Sequence, residues 1–93
     1  MAAPSQTNST TTGTTPKTVL AADDSRESIC IQNESDEAMR FNFLAAAGAS
    51  AGWLLAAGET RVMYKRDWPM IKNALSVYGA TSGKAYNVSD DVN

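Results

Sequence analysis

The chain has 93 residues, of which 43% are hydrophobic and 19% charged, with a formal net charge of −2. That length allows one domain and a small core, and the scattered basic residues do not make the one-sided basic face of a nucleic-acid binder. One cysteine and no histidine leave no disulfide framework, no cysteine-rich zinc site and neither the commonest metal ligand nor the commonest general base.

Residues 1–16 are read as an extended N-terminal arm, and 17–93 as the folded domain. The arm is a Ser, Thr, Asn and Gln tract without apolar periodicity, so by composition it has no core of its own. It carries no basic region followed by an apolar run, so no signal peptide is expected. Its backbone groups and many threonines suit addition to the exposed strand edge of a neighbour. Pro4, Gln6, Thr7, Asn8, Thr11, Thr12 and Thr14 are therefore candidate partner-binding residues.

Lys17 to Ala22 reads as a first strand that stops at the polar turn Asp23-Asp24-Ser25. In Glu27 to Phe43, Ile29 and Ile31 alternate against Ser28, Cys30 and Gln32, and Met39, Phe41 and Phe43 alternate against Arg40 and Asn42. The polar run Asn33 to Glu37 between them is expected to be the loop of a hairpin with one apolar face. Such a hairpin is unstable alone, so the flanking strands must cover it.

Leu44 to Gly58 is shorter than the ~20 apolar residues of a bilayer span and is broken by Gly48, Ser50 and Gly52. It reads as a small-residue loop followed by a short strand. Thr60 to Tyr64 and Leu75 to Tyr78 are further strands, joined by a connector in which Trp68 precedes Pro69 and is biased to extended backbone. Ala85 to Val88 closes the fold, and Ser89 to Asn93 reads as a polar tail with solvated Asp90 and Asp91. The expected fold is all-β: a small antiparallel sandwich or barrel of about six to eight short strands.

Trp68 suits a plug at one end of the core, or an exposed anchor at an interface, where tryptophan is enriched among residues that matter for binding. The same applies to Trp53, and Tyr64 joins them as a candidate partner-binding aromatic. Cys30 lacks the base that would make it a nucleophile, and it reads as a small packing residue. No catalytic residue, metal ligand or cofactor is expected.

Three segments taken together carry a resemblance. They are Val19 to Ala22 (VLAA), Arg26 to Asp36 (R-x-S-I-x-I-Q-N-x-S-D) and Leu54 to Glu59 (LLAAGE), followed by the Trp-Pro connector and Ala74 to Gly83 (ALSVYGATSG). Over Lys17 to Val88 the chain resembles the small β-sandwich virion proteins of tailed bacteriophages, which occur as head decoration (cement) proteins and as modules of head or tail fibres. The resemblance implies a non-enzymatic structural protein of the virion, assembled as a homo-oligomer, commonly a trimer. Its partners would be copies of itself and the major capsid protein or another virion protein, with no nucleic acid and no membrane. The alternative it implies is a fibre or spike module that binds a host-surface glycan or protein.

Overall fold

The computed structural model describes residues 5–11, 13 and 15–92. It is a β-sandwich of two four-stranded antiparallel sheets. The strands are β1 (Ser5–Thr10), β2 (Lys17–Leu20), β3 (Arg26–Asn33), β4 (Met39–Asn42), β5 (Trp53–Leu55), β6 (Thr60–Tyr64), β7 (Leu75–Tyr78) and β8 (Ala85–Val92), with one 3-10 turn over Pro69–Lys72. The first sheet runs β1-β8-β3-β6 and the second β2-β7-β4-β5.

The alternation in the sequence sets the inner faces. Ile29, Ile31 and Met63 of the first sheet, with Tyr86 and Val88, pack on Met39, Phe41, Leu55, Leu75 and Val77 of the second, while Phe43 and Ile71 complete the buried cluster. Ile29, Ile31 and Asn33 of β3 look inward and Ser28, Cys30 and Gln32 look out, as a two-residue period requires, and a register irregularity between Arg26 and Ser28 lets the even-numbered Arg26 be buried as well.

The expected hairpin is corrected. β3 pairs with β6 and β8, whereas β4 pairs with β5 and β7, so residues 34–38 cross from one sheet to the other. Two strands with one apolar face each can bury it by facing one another across the core, and Asn33 fixes that choice. It is fully buried, and its Nδ2 donates to the carbonyls of Glu37 (2.8 Å), Leu55 (3.1 Å) and Ala56 (3.1 Å). Its Oδ1 accepts the Ser35 N–H at 2.9 Å and the Ser35 hydroxyl at 2.7 Å. Asn33 thus ends β3 and fastens the corner to the strand end of the opposite sheet.

The opposite end is closed by Arg26, also buried. Its Nε donates to Asp90 Oδ2 at 2.9 Å, Nη1 to the carbonyls of Ile71 (2.6 Å) and Asn73 (3.0 Å), and Nη2 to that of Ala21 (2.9 Å). Asp90 is therefore not solvated, as the sequence reading had it. β8 continues to Val92, so the strand period points Asp90 inward and Asp91 outward.

The tract before Pro16 is also corrected. Ser5 to Thr10 form β1 against β8 of the same chain, in register from Ser5↔Asp90 to Thr10↔Ala85. A ladder consumes backbone donors and acceptors and needs no apolar side chain, so composition alone does not exclude a strand here. The boundary at residue 16 consequently does not separate β1 from the domain.

Candidate functional site

Two cross-sheet contacts define the flanks of the sandwich. Lys17 of β2 donates from Nζ to Ser9 Oγ of β1 at 2.8 Å, and Arg61 of β6 donates from Nη2 to the Leu54 carbonyl of β5 at 3.3 Å. One flank is therefore β1/β2 and the other β5/β6. On each, a cation from an inward-facing edge position spans the gap between the sheets.

The β5/β6 flank is aromatic. Phe41 and Trp53 stand opposite one another in the ladder, and their rings stack at 5.8 Å with 21° between planes. Trp68 meets Trp53 edge-on at 6.5 Å and 85°. It is placed there by a tight turn in which the Asp67 and Trp68 N–H groups both donate to the Tyr64 carbonyl, at 3.0 and 2.8 Å. The Arg61 guanidinium lies 5.7 Å from the centre of the Phe41 ring and donates to Glu59 Oε2 at 2.7 Å. The hydrogen bond from Arg61, and after it that from the Ala56 N–H, hold the Glu59 carboxyl below its ordinary value.

The large apolar side chains that remain exposed gather on this half. Leu54 is 51% exposed, Val62 50%, Tyr64 50% and Trp68 40%, and Leu44, beside the start of β5, is 67% exposed. Val62 and Tyr64 occupy the outer face of β6, where the Arg66 guanidinium stacks 5.6 Å from the Tyr64 ring. Tyr64 and Arg66 border an open depression of ~410 Å³ with Glu27, Ser28 and Asp91. Leu54 borders another of ~250 Å³ with Arg40, Tyr78 and three alanines.

Of the residues selected from the sequence, Trp53 and Trp68 are thus brought into ring contact, while Tyr64 joins them through its carbonyl and turns its ring to the outer face of β6. Trp68 covers the flank beside Trp53 and is not part of the buried cluster. Gln6, Thr7 and Asn8 lie on β1, at the other flank, while Pro4, Thr12 and Thr14 lie outside the described residues.

Thr11 is corrected as a partner-binding residue. It is buried, its hydroxyl donates to the Thr81 carbonyl at 2.5 Å, and it accepts the Lys84 N–H at 3.2 Å, so it fastens the β8 entry turn. Leu54, Val62 and Arg61 escaped the sequence reading; the alternation of Thr60 to Tyr64 was the signal that Val62 shares the outer face with Tyr64. Among the described residues no group of three or more Cys, Asp or Glu side chains is placed to hold a metal ion.

Comparison of the chain with known protein families, characterised proteins and solved structures finds no match.

Proposed function

We propose that this chain is a non-enzymatic structural protein of a tailed-bacteriophage virion, a capsid decoration protein that self-associates and stabilises the head by seating on the major capsid protein lattice. The observation that carries the reading is the asymmetry of the surface. Leu54, Val62, Tyr64 and Trp68 lie on or beside one flank of the sandwich, whereas the opposite flank is edged by the polar β1, and Leu44 borders Trp53 on one side and Pro16 and Thr18 on the other. Leu54 stands on the outer face of β5 and Val62 and Tyr64 on that of β6, so these exposed side chains fit a protein partner that grips this flank from both faces, which their burial would stabilise. The resemblance over Lys17 to Val88 supplies the identity of that partner.

The test is imaging of purified particles carrying the native chain or a Leu54→Ser/Val62→Ser variant. The native chain is expected to cover the icosahedral lattice and the variant to be depleted from it. Density only at a unique vertex, or full occupancy by the variant, would overturn the reading.

The stacking of Arg66 on Tyr64 above the ~410 Å³ depression favours a second reading, a fibre module that binds a host-surface glycan. Glycan-array binding abolished by Tyr64→Ala would support it in place of the first.

A further inference from the structure

The four sheet edges of this sandwich are not equally protected. Exposed edges invite pairing with other strands, and proteins blunt them with short strands, bulges, prolines, covering loops and inward-pointing charges. β5 has only three residues. β2 has four, with a register irregularity between Thr18 and Leu20, Pro16 before it and the inward-facing Lys17. β6 carries the inward-facing Arg61, and the turn folded onto the Tyr64 carbonyl closes its end. Apart from Pro4, which precedes it in the sequence, β1 has none of these devices among the described residues. It is six residues long and holds one unbroken register on β8, and its sequence SQTNST contains no charge and no proline.

The direction of its free backbone groups follows from the ladder. The Thr11 N–H donates to the Lys84 carbonyl, and the Glu34 N–H to the Ala85 carbonyl. By the alternation of an antiparallel ladder, Ser5, Thr7 and Ser9 turn their backbone groups to β8, and Gln6, Asn8 and Thr10 turn theirs to the open side. Those three positions are spaced symmetrically about Asn8. A second β1 laid antiparallel across a two-fold axis at Asn8 pairs Gln6 with Thr10, Asn8 with Asn8 and Thr10 with Gln6. Every outward donor and acceptor then finds a partner. No like charges meet, although the chain carries net charge −2.

We infer that the β1 edge is a self-association surface, joining two copies of this chain in a two-fold pair through β1–β1 strand addition centred on Asn8. The result is a continuous eight-stranded sheet that leaves the β5/β6 flank of both copies uncovered for the shell. The inference rests on the self-associating part of the proposed function, and it replaces the three-fold assembly implied by the resemblance with a two-fold one.

Sedimentation of the full chain over the micromolar range tests it. A dimer that dissociates on dilution is expected. Asn8→Pro removes an N–H that points to the open side and leaves the β8 ladder intact, so the dissociation constant should rise about tenfold or more. Asn8→Lys and Asn8→Glu place like charges opposite each other at the axis, so each should pair with itself less well than the native chain. Their equimolar mixture should form the mixed dimer preferentially in native mass spectrometry.

A native chain that stays monomeric, a trimer, or a mixture without preference would overturn the inference. If Leu54→Ser/Val62→Ser dissociates the oligomer and the Asn8 variants do not, association runs through the apolar flank. In that case the β1 inference fails while the proposed function stands.

Discussion

Arg26→Leu isolates the energetics of the polar closure at one end of the sandwich. The Arg26 side chain is 2% exposed and its ion-pair partner Asp90 4%. Removing the guanidinium takes the ion-pair partner from a buried carboxylate and deprives the carbonyls of Ala21, Ile71 and Asn73 of a donor. Breaking a buried pair from one side costs ~3 to 5 kcal/mol. A domain of this length has a total stability of about 5 to 14 kcal/mol, so the melting temperature should fall by ~12 to 40 °C. Arg26→Lys keeps a charge near Asp90, but a compact ammonium does not reach all four acceptors, and a loss of ~2 kcal/mol is expected. Arg26→Leu/Asp90→Leu should recover part of the loss, because most of it is the buried negative charge that has lost its ion-pair partner. The control is Arg66→Leu, whose pair with Asp67 is 3.5 Å long and 82% and 58% exposed, and whose cost should stay within ~0.5 kcal/mol. Thermal and urea melts followed by circular dichroism measure all four variants. Arg26→Leu melting within a few degrees of Arg66→Leu would refute the argument that Arg26 holds this end together.

Four further outcomes are expected. Phe41→Ala, which removes a buried ring stacked on Trp53 and edge-on to Phe43, should cost ~3 to 5 kcal/mol in urea denaturation. Asn33→Asp replaces the amide donor facing three carbonyls with an acceptor and should cost at least ~2 kcal/mol, read by the same melts. Gly79→Ala places a Cβ 2.6 Å from Thr11 Cγ2, and the overpacking should cost ~1 to 3 kcal/mol in thermal melts. Asp36 accepts a hydrogen bond from Lys84, which, with the attraction of its charge, holds the carboxyl below its ordinary value. A depressed carboxyl stabilises the fold above its ordinary pKa, and that contribution disappears as pH falls through the folded value. Lys84→Ala should therefore raise the Asp36 midpoint in an NMR titration and flatten that part of the acid limb.

The strands were legible wherever apolar residues alternate, and Ile29, Ile31, Met39, Phe41 and Phe43 all point inward as their period requires. The reading of Asp90 as solvated failed, and the burial of Arg26 and Asn33 went unforeseen, for one physical reason: composition assigns polar residues to the surface. Arg26, Asn33 and Asp90 are buried, and each is made tolerable by partners distant in the chain, which a linear reading does not see. The partner of β3 was misjudged because both a hairpin and a sheet crossing join strands with one apolar face, and only the Asn33 contacts distinguish them. β1 was missed because its attachment is a backbone ladder, which leaves no trace in hydropathy. Trp53, Tyr64 and Trp68 stood out as large aromatics in small-residue or charged surroundings. Arg61 did not, because an inward-facing cation on an edge strand looks like any surface charge.

The segments that carry the resemblance acquire a common meaning in the fold. Arg26 to Asp36 supplies the Arg26 closure, the core residues Ile29 and Ile31, and the Asn33–Ser35 corner. Leu54 to Glu59 supplies the buried Leu55, the Leu55 and Ala56 carbonyls that accept the Asn33 amide, and the Glu59 carboxylate that accepts the Ala56 N–H at 2.8 Å. Two pieces separated by some twenty residues are thus halves of one corner, which explains why they are distinctive together and weak apart. A sequence pattern built from such residues reports how the sandwich is closed. The surfaces proposed for docking lie elsewhere, at Val62, Tyr64 and Trp68 on one flank and at the backbone of β1 on the other. All of these fall outside the polar closure, and β1 enters the fold through its ladder and the Lys17–Ser9 hydrogen bond. The proposed docking surfaces can therefore be changed by substitution at Val62 or Asn8 without touching the contacts that hold the two sheets together.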